Sequence, residues 1–99
     1  MQEEIREIED GLCLTVRVAN EQGLHARPAA RLVKEASRFT ARIMLVTDDT
    51  EVDAKSILDI LSLAAAKGTA LELRASGPDA REALAHLAAT FANRFREDV

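Results

Sequence analysis

The chain has 99 residues, of which 47% are hydrophobic, and its 17 acidic and 13 basic side chains leave a net charge of −4. That length suits one domain with a compact core, and no basic patch favours nucleic acid as a partner. No apolar run approaches the roughly 18 residues that a membrane-spanning helix needs, so we expect no membrane insertion. Cys13 is the single cysteine, which excludes an internal disulfide.

The first ten residues form an acidic segment without the apolar stretch of a secretory signal. The spacing of Ile5 and Ile8 allows a short helical turn, but we expect residues 1–10 to be a frayed or loosely docked extension. We assign the folded domain to residues 11–95 and a C-terminal tail to residues 96–99. The absence of a signal or span predicts a cytoplasmic protein.

Apolar and polar residues alternate from Leu12 to Val18, which predicts a strand with one buried face. A helix is predicted over 26–37, because apolar residues recur there at the i, i+3, i+4, i+7 spacing. Its charged residues are expected on the solvent side: Arg31, Lys34, Glu35 and Arg38.

Strands are predicted at 41–46, 50–53 and 69–75, with a turn at 48–49. A short helix is predicted over 56–63, where Ser56 and Asp59 fit a capping box. The last helix opens at Gly77-Pro78-Asp79, and its apolar stripe extends to Phe95. The order β-α-β-β-α-β-α predicts an α+β fold with a four-stranded antiparallel sheet covered on one face by three helices.

The short helix carries two apolar sets, with Ile60 and Leu63 on one side and Ile57, Leu58 and Leu61 largely on another. A short helix on a small domain buries only one side, so we expect the second set to be exposed as a partner site. The alternative is that both sets pack under the preceding loop.

His25 is expected at or just before a helix N-terminus, because a glycine precedes it and Pro28 suits a first turn. Free backbone N–H groups there favour an anion, and Arg27 adds a forked donor for phosphate oxygens. The alternative is that His25 only caps the helix while Arg27 is a solvated charge. No Cys, His or acid lies at ligand spacing around His86, so we expect no metal and treat it as a structural or surface histidine.

The stretch Gly-Leu-His-Ala-Arg-Pro-Ala-Ala, at 23–30, resembles the active-site signature of the HPr phosphocarrier family of the bacterial phosphotransferase system. A second block, Ala-Lys-Ser-Ile-Leu at 54–58, resembles the family's signature around its regulatory serine. His25 and Ser56 lie 31 residues apart, as in the family. The resemblance runs from about Leu12 to Phe91 and implies the HPr open-faced β-sandwich.

The resemblance implies a stoichiometric phosphocarrier without a cofactor, rather than an enzyme. Enzyme I, charged from phosphoenolpyruvate, would phosphorylate Nδ1 of His25, and an enzyme IIA domain would accept the group. The backbone of Ala26 and Arg27, with the Arg27 guanidinium, would share the phosphoryl charge. Sugar transport is the expected pathway. The alternatives are a nitrogen-type regulatory relay without sugar import and an interaction module controlled through Ser56.

Ser56 is expected to cap its helix, and the resemblance adds a regulatory role as a substrate of an HPr kinase/phosphorylase. The resemblance also implies partner docking by the short helix, so we expect a docking surface with these members: Ala26, Arg27, Ile57, Leu58 and Leu61. Asp59 stands where relatives often have lysine or glycine. Ala64 stands where they often have glycine. We expect a monomer.

Overall fold

The computed structural model describes residues 5–48 and 50–96. The chain forms five strands and three helices in this part: β1 (Arg6–Ile8), β2 (Gly11–Arg17), α1 (Ala26–Ala36), β3 (Arg42–Thr47), β4 (Thr50–Asp53), α2 (Ile57–Ser62), β5 (Ala70–Ser76) and α3 (Ala80–Ala92). The strands pair antiparallel in the order β1-β2-β5-β3-β4. The predicted α+β class is therefore confirmed. Among the described residues, no helix is long and apolar enough to cross a membrane.

The sheet has five strands rather than the predicted four, because the N-terminal segment adds an edge strand. β1 pairs with β2, with Arg6 opposite Cys13 and Ile8 opposite Gly11. Arg6 also forms an ion pair with Glu72 of β5 at 2.9 Å. The expected loose extension with a helical turn is wrong for residues 6–8, which lie in the sheet, while residues 1–4 fall outside the described part.

The core lies between one face of the sheet and the helices. Alternate strand residues point into it, as the predicted period of two requires. They meet the apolar stripes of α1 and α3. The buried members of the three central strands and the two long helices include Leu14, Val16, Ile43, Leu45, Leu71, Leu73, Ala29, Leu32, Ala36, Leu84, Leu87 and Phe91. With few aromatic residues, the chain fills this core mainly with aliphatic side chains.

Glu35 is buried, with 3% of its surface exposed, although its charge placed it on the solvent side in the sequence. Its carboxylate contacts Nε2 of His86 at 2.6 Å. The same carboxylate lies 2.9 Å from Nε of Arg31 and 2.9 Å from a guanidinium nitrogen of Arg38. A carboxylate is tolerated in such a place only when it is paired. The cluster joins the C-terminal half of α1 to the middle of α3.

Two predicted boundaries of the last helix are wrong. α3 begins at Ala80, so Pro78 precedes it, and Asp79 is its N-cap without capping it by a side-chain bond. The Asp79 carboxylate instead accepts the backbone N–H groups of Thr40 and Ala41, at 2.9 and 2.8 Å. These bonds lower the pKa of Asp79. Phe95 is buried but lies beyond the end of α3, in a turn.

The turn predicted at 48–49 is described only at Asp48, where φ is +47°. Asp49 lies outside the described residues. β3 and β4 pair on either side of it, with Thr47 opposite Thr50. Aspartate is one of the residues that tolerate this left-handed conformation, because its short side chain hydrogen-bonds locally.

The first prediction concerns the buried carboxylate. The hydrogen bond to His86, followed by that to Arg38, lowers the pKa of Glu35 against the opposing effect of burial. Because the folded pKa lies below the unfolded value of about 4.3, the ionised carboxylate stabilises the fold above that pH. That contribution is lost as the pH falls through the folded pKa.

We therefore expect Glu35→Gln to lower the free energy of unfolding at pH 7 by about 1–3 kcal/mol, and the loss to shrink toward pH 3. Thermal melting between pH 3 and 7 measures this. Glu51→Gln, at an exposed position on β4, is the control and should change the melting temperature little at any pH. A pH-independent loss for Glu35→Gln would show that the carboxylate charge is irrelevant.

Candidate functional site

The loop before α1 is fixed on the backbone of the segment that follows α2. Gly23 has φ +74°, and a Cβ at this position would lie 2.3 Å from the carbonyl oxygen of Ala65. The next residue, Leu24, donates its N–H to the same oxygen at 2.9 Å. Only glycine allows both the positive φ and this close approach. The glycine of the 23–30 stretch is therefore required by the path of the chain.

His25 is the N-cap of α1, with an extended backbone (φ −82°, ψ −168°) and no capping bond from its side chain. The residue is exposed. The first intrahelical bond runs from the N–H of Ala29 to the carbonyl of His25 at 2.9 Å. The N–H groups of Ala26 and Arg27 precede that bond, so the helix itself offers them no partner.

This arrangement places the exposed His25 imidazole, which makes no capping bond, beside the electropositive end of α1. Ala26 and Arg27 are both exposed, while Pro28 is buried and fixes the first turn. A tetrahedral anion carried by the imidazole would meet backbone donors, the helix dipole and a guanidinium. Among the described residues, no group of three or more His, Cys, Asp or Glu side chains could hold a metal ion.

Charged side chains link this loop and the strand before it to the segment after α2. Nζ of Lys67 lies 2.7 Å from a carboxylate oxygen of Glu21. This hydrogen bond is the main cause of the lowered pKa of Glu21. Arg17 donates to the carbonyl of Gly68 at 2.9 Å. The segment around Lys67 and Gly68 thus holds the loop from one side through both side chains and backbone.

Ser56 caps α2, as the sequence predicted. Its hydroxyl accepts the N–H of Asp59 at 3.3 Å. The reciprocal bond of a capping box is missing, because the Asp59 carboxylate accepts the N–H of Asp53 at 3.2 Å, while the Ser56 N–H donates to the Asp53 carbonyl. Asp59 is therefore turned back toward the end of β4.

The predicted exposure of the second apolar set on α2 is confirmed. Leu58 is 76% exposed and Ile57 and Leu61 are each 37% exposed, whereas Ile60 is fully buried. These three, with Ile8, are the exposed large hydrophobic residues of the described chain. The alternative, in which both sets pack under the preceding loop, is wrong. We call Ile57, Leu58 and Leu61 the α2 patch.

Two residues of this region were not singled out as site residues. Ala64, after the end of α2, has φ +52°, a left-handed conformation that favours glycine at such a position. Asn20 donates from Nδ2 to the carbonyl of Arg94 at 3.0 Å, which ties the His25 loop to the turn after α3. Nothing in the local sequence signals that contact, because its partners are 74 residues apart.

The fold and the site together define the class: an open antiparallel sheet with three helices that exposes a histidine at a helix N-terminus. A family model described as the PTS HPr component phosphorylation site matches residues 13–93. The chain belongs to the HPr family of phosphocarriers.

Three curated relatives illustrate the range of this family. The phosphocarrier protein HPr of Treponema pallidum is 50% identical over 85% of this chain and 96% of its own length. The phosphocarrier protein NPr of Escherichia coli is 42% identical over 85% of this chain and 94% of its own. The HPr-like protein Crh of Bacillus subtilis is 50% identical over 75% of this chain and 87% of its own.

Solved structures agree with the fold. HPr from Thermoanaerobacter tengcongensis superposes with a TM-score of 0.82 at 39% identity, covering 88% of this chain and 98% of that one. A Crh structure from Bacillus subtilis, described as a swapped dimer, gives a TM-score of 0.69 at 41% identity and covers 92% of this chain and all of that one.

The second prediction tests the close approach at Gly23. Gly23→Ala and Gly68→Ala both place alanine at a positive φ, +74° and +89°, but an added Cβ at Gly68 meets nothing within 4 Å. Both variants should lose about 1–2 kcal/mol from the left-handed backbone. Gly23→Ala should lose clearly more, because its Cβ overlaps the Ala65 carbonyl.

Thermal melting compares the two variants directly. Equal melting temperatures would contradict the proposed path of the loop before His25. Amide chemical shifts of Leu24 and Ala65 provide the local readout and should change in Gly23→Ala alone.

Proposed function

We propose that this chain is a stoichiometric phosphocarrier that accepts a phosphoryl group on Nδ1 of His25 and passes it on. The observation that carries the proposal is the exposed imidazole at the N-cap of α1, which makes no capping bond and lies beside helix N–H groups without intrahelical partners. The membership in the HPr family supports the same chemistry.

In the proposed step, the lone pair of Nδ1 attacks phosphorus and forms an N–P bond. The bond between phosphorus and its donor breaks, and the donor departs with the electron pair. Nε2 keeps the proton of the imidazole. The N–H groups of Ala26 and Arg27 and the Arg27 guanidinium then share the charge of the transferred group. The reverse step, to an acceptor, uses the same contacts.

An exposed site suits a carrier better than a hydrolase. Within residues 5–48 and 50–96, no carboxylate hydrogen-bonds the His25 ring, and the nearby Glu21 is held by Lys67. A hydrolase needs a base that orients water beside the phosphoryl group. The phosphorylated imidazole is instead left accessible to a second protein, as a transfer reaction requires.

We infer that the donor is enzyme I and the acceptor an enzyme IIA domain, both docking over Ala26, Arg27 and the α2 patch. The patch is apolar and exposed, and the segment that follows its helix accepts a hydrogen bond from the His25 loop, from the Leu24 N–H to the Ala65 carbonyl. A partner that covers it can place its own reacting group over His25. Apolar residues at the centre with Arg27 at the rim are typical of such transient interfaces.

Sugar transport is our first assignment of the pathway, and a nitrogen-type regulatory relay is the second. The relatives include proteins named HPr and NPr at similar coverage, which supports either assignment. Offering the chain to the enzyme I of each system, with labelled phosphoenolpyruvate, separates the two. The faster donor identifies the pathway.

A regulatory role of Ser56 is a further part of the proposal, with an HPr kinase/phosphorylase as the modifying enzyme. Ser56 is partly exposed at the start of the helix that carries the α2 patch, so a phosphate there would add charge beside the docking surface. The similarity to Crh keeps an interaction module as the alternative, although His25 supports a carrier.

We place the protein in the cytoplasm as a monomer. Sedimentation would test the monomer, because a Crh structure is a swapped dimer.

The third prediction tests His25 and Arg27 as the transfer site. His25→Ala should abolish labelling from phosphoenolpyruvate through enzyme I, and the wild-type label should be acid-labile and base-stable. Arg27→Ala should slow labelling by about tenfold or more, because a charge-assisted contact to the phosphoryl group is lost, with an unchanged melting temperature.

The matched control is His86→Ala, which removes the other histidine. His86 contacts the buried Glu35, so this variant should melt at a lower temperature yet still be labelled. Acid-labile label on the His25→Ala protein would contradict the assignment. So would an Arg27→Ala protein that transfers normally per folded molecule but is strongly destabilised.

The fourth prediction tests the α2 patch. Leu58→Ala should weaken binding of enzyme I, since burying a leucine contributes about 1.5–3 kcal/mol, with little change in melting. Ser56→Asp should also weaken binding, because it adds a charge beside the patch. Ile8→Ala removes an exposed apolar side chain from the edge strand β1 and serves as the control.

Binding affinity by calorimetry and melting temperature are measured for all four proteins. Ile8→Ala should bind like wild type. If Leu58→Ala and Ser56→Asp also bind like wild type, the docking surface lies elsewhere.

A further inference from the structure

We propose that Asn20 and the turn after α3 form a positioning device for His25, an inference that rests on the proposed phosphoryl transfer. Asn20 makes no hydrogen bond to the imidazole. Its role is therefore to fix the loop that presents the histidine. The bond from its Nδ2 to the Arg94 carbonyl is the anchor.

The turn that supplies the carbonyl is strained. Arg94 and Phe95 have φ of +62° and +63°, and neither is glycine. Such a conformation persists only where surrounding contacts enforce it. Here Phe95 is buried, its ring packs on Phe91 at 4.8 Å between centroids, and its N–H bonds the Thr90 carbonyl at 2.9 Å.

A side chain reinforces the same turn. Oδ1 of Asn93 accepts the N–H of Phe95 at 3.1 Å. The chain therefore uses a buried ring and two acceptors to hold two consecutive residues in the left-handed region. The carbonyl of Arg94, between the two, is the group that this conformation presents to Asn20.

Asn20 connects that turn to the His25 loop at a specific point. Its own carbonyl accepts the N–H of Gly23 at 3.0 Å, so Asn20 opens the turn that ends at Gly23. Its Oδ1 is buried and has no hydrogen-bond partner among the described residues. The side chain is thus oriented by the hydrogen bond of its Nδ2 donor. The loop is bonded to Ala65 on one side and to Arg94 on the other.

The device acts on the rate of transfer rather than on docking. Asn20 lies five residues before His25, and a shift of the loop would move the imidazole relative to the donors at Ala26 and Arg27. Misplacement of a reacting group by about 1 Å lowers rates by up to about a hundredfold. The α2 patch lies on another element and is unaffected.

The experiment compares wild type with Asn20→Ala and Asn20→Asp, the second of which keeps the size of the side chain but loses the N–H donor. Initial rates of phosphorylation by enzyme I and phosphoenolpyruvate are measured against carrier concentration. We expect the maximal rate to fall by about tenfold in both variants while the half-saturating concentration stays within about twofold. Ile43→Val, a core change remote from the loop, controls for lost stability.

Native-state amide exchange gives a readout that needs no phosphoryl donor. The amides of Gly23 and Leu24 should exchange faster in both Asn20 variants. The amide of Val18, which bonds the Thr69 carbonyl, should not change. Ile43→Val should leave the ratio between these sites as in wild type.

The outcomes separate the two proposals. A wild-type protein that takes no label at His25 refutes the proposed function, and the exchange data then decide the anchor alone. Asn20 variants that transfer and exchange like wild type, or lose no more rate than Ile43→Val, overturn the inference. A change confined to the half-saturating concentration overturns it as well, because Asn20 would then act in docking.

Discussion

The backbone contact of Gly23 and Leu24 with Ala65 is the constraint on which the site depends. The Leu24 N–H and the close approach of Gly23 use the same carbonyl oxygen, so the loop before α1 is held against the segment after α2 at this point. This contact holds the loop before the exposed histidine against the segment that follows α2, the helix that carries the α2 patch.

The rest of the fold supports that contact. The buried faces of the central strands and the stripes of α1 and α3 form one continuous core. Glu35 and Asp79 add polar links: Glu35 joins α1 to α3 through His86, and Asp79 accepts two backbone N–H groups from the segment before β3. The site can therefore stay exposed to solvent, because its position is set by backbone hydrogen bonds and by a core to which it does not belong.

The predictable features of this fold are those with a local cause. Alternation located the central strands, and helical spacing located α1. The edge strand β1 was missed because a three-residue polar segment has no periodicity, and its pairing depends on β2. Glu35 was misplaced because burial of a carboxylate depends on His86, 51 residues away. Phe95 fits the helical spacing, but the chain leaves the helix before it.

The candidate site shows the same division. The N-cap position of His25 and the exposure of the α2 patch follow from glycine, proline and the width of a short helix. The direction of the Asp59 carboxylate and the anchor at Asn20 do not, since both depend on how distant segments meet. Ala64 adopts a left-handed backbone, a conformation that glycine takes without steric cost and that the local sequence does not signal.

The most direct test of the central account is nuclear magnetic resonance of the phosphorylated protein with nitrogen-15 in its histidines and backbone. Coupling of phosphorus to the imidazole nitrogens identifies the modified atom. We expect a phosphoryl group on Nδ1 of His25, with large shifts of the Ala26 and Arg27 amides as they bond the phosphoryl oxygens. Phosphorylation on Nε2 or at His86, or unshifted amides at Ala26 and Arg27, would contradict it.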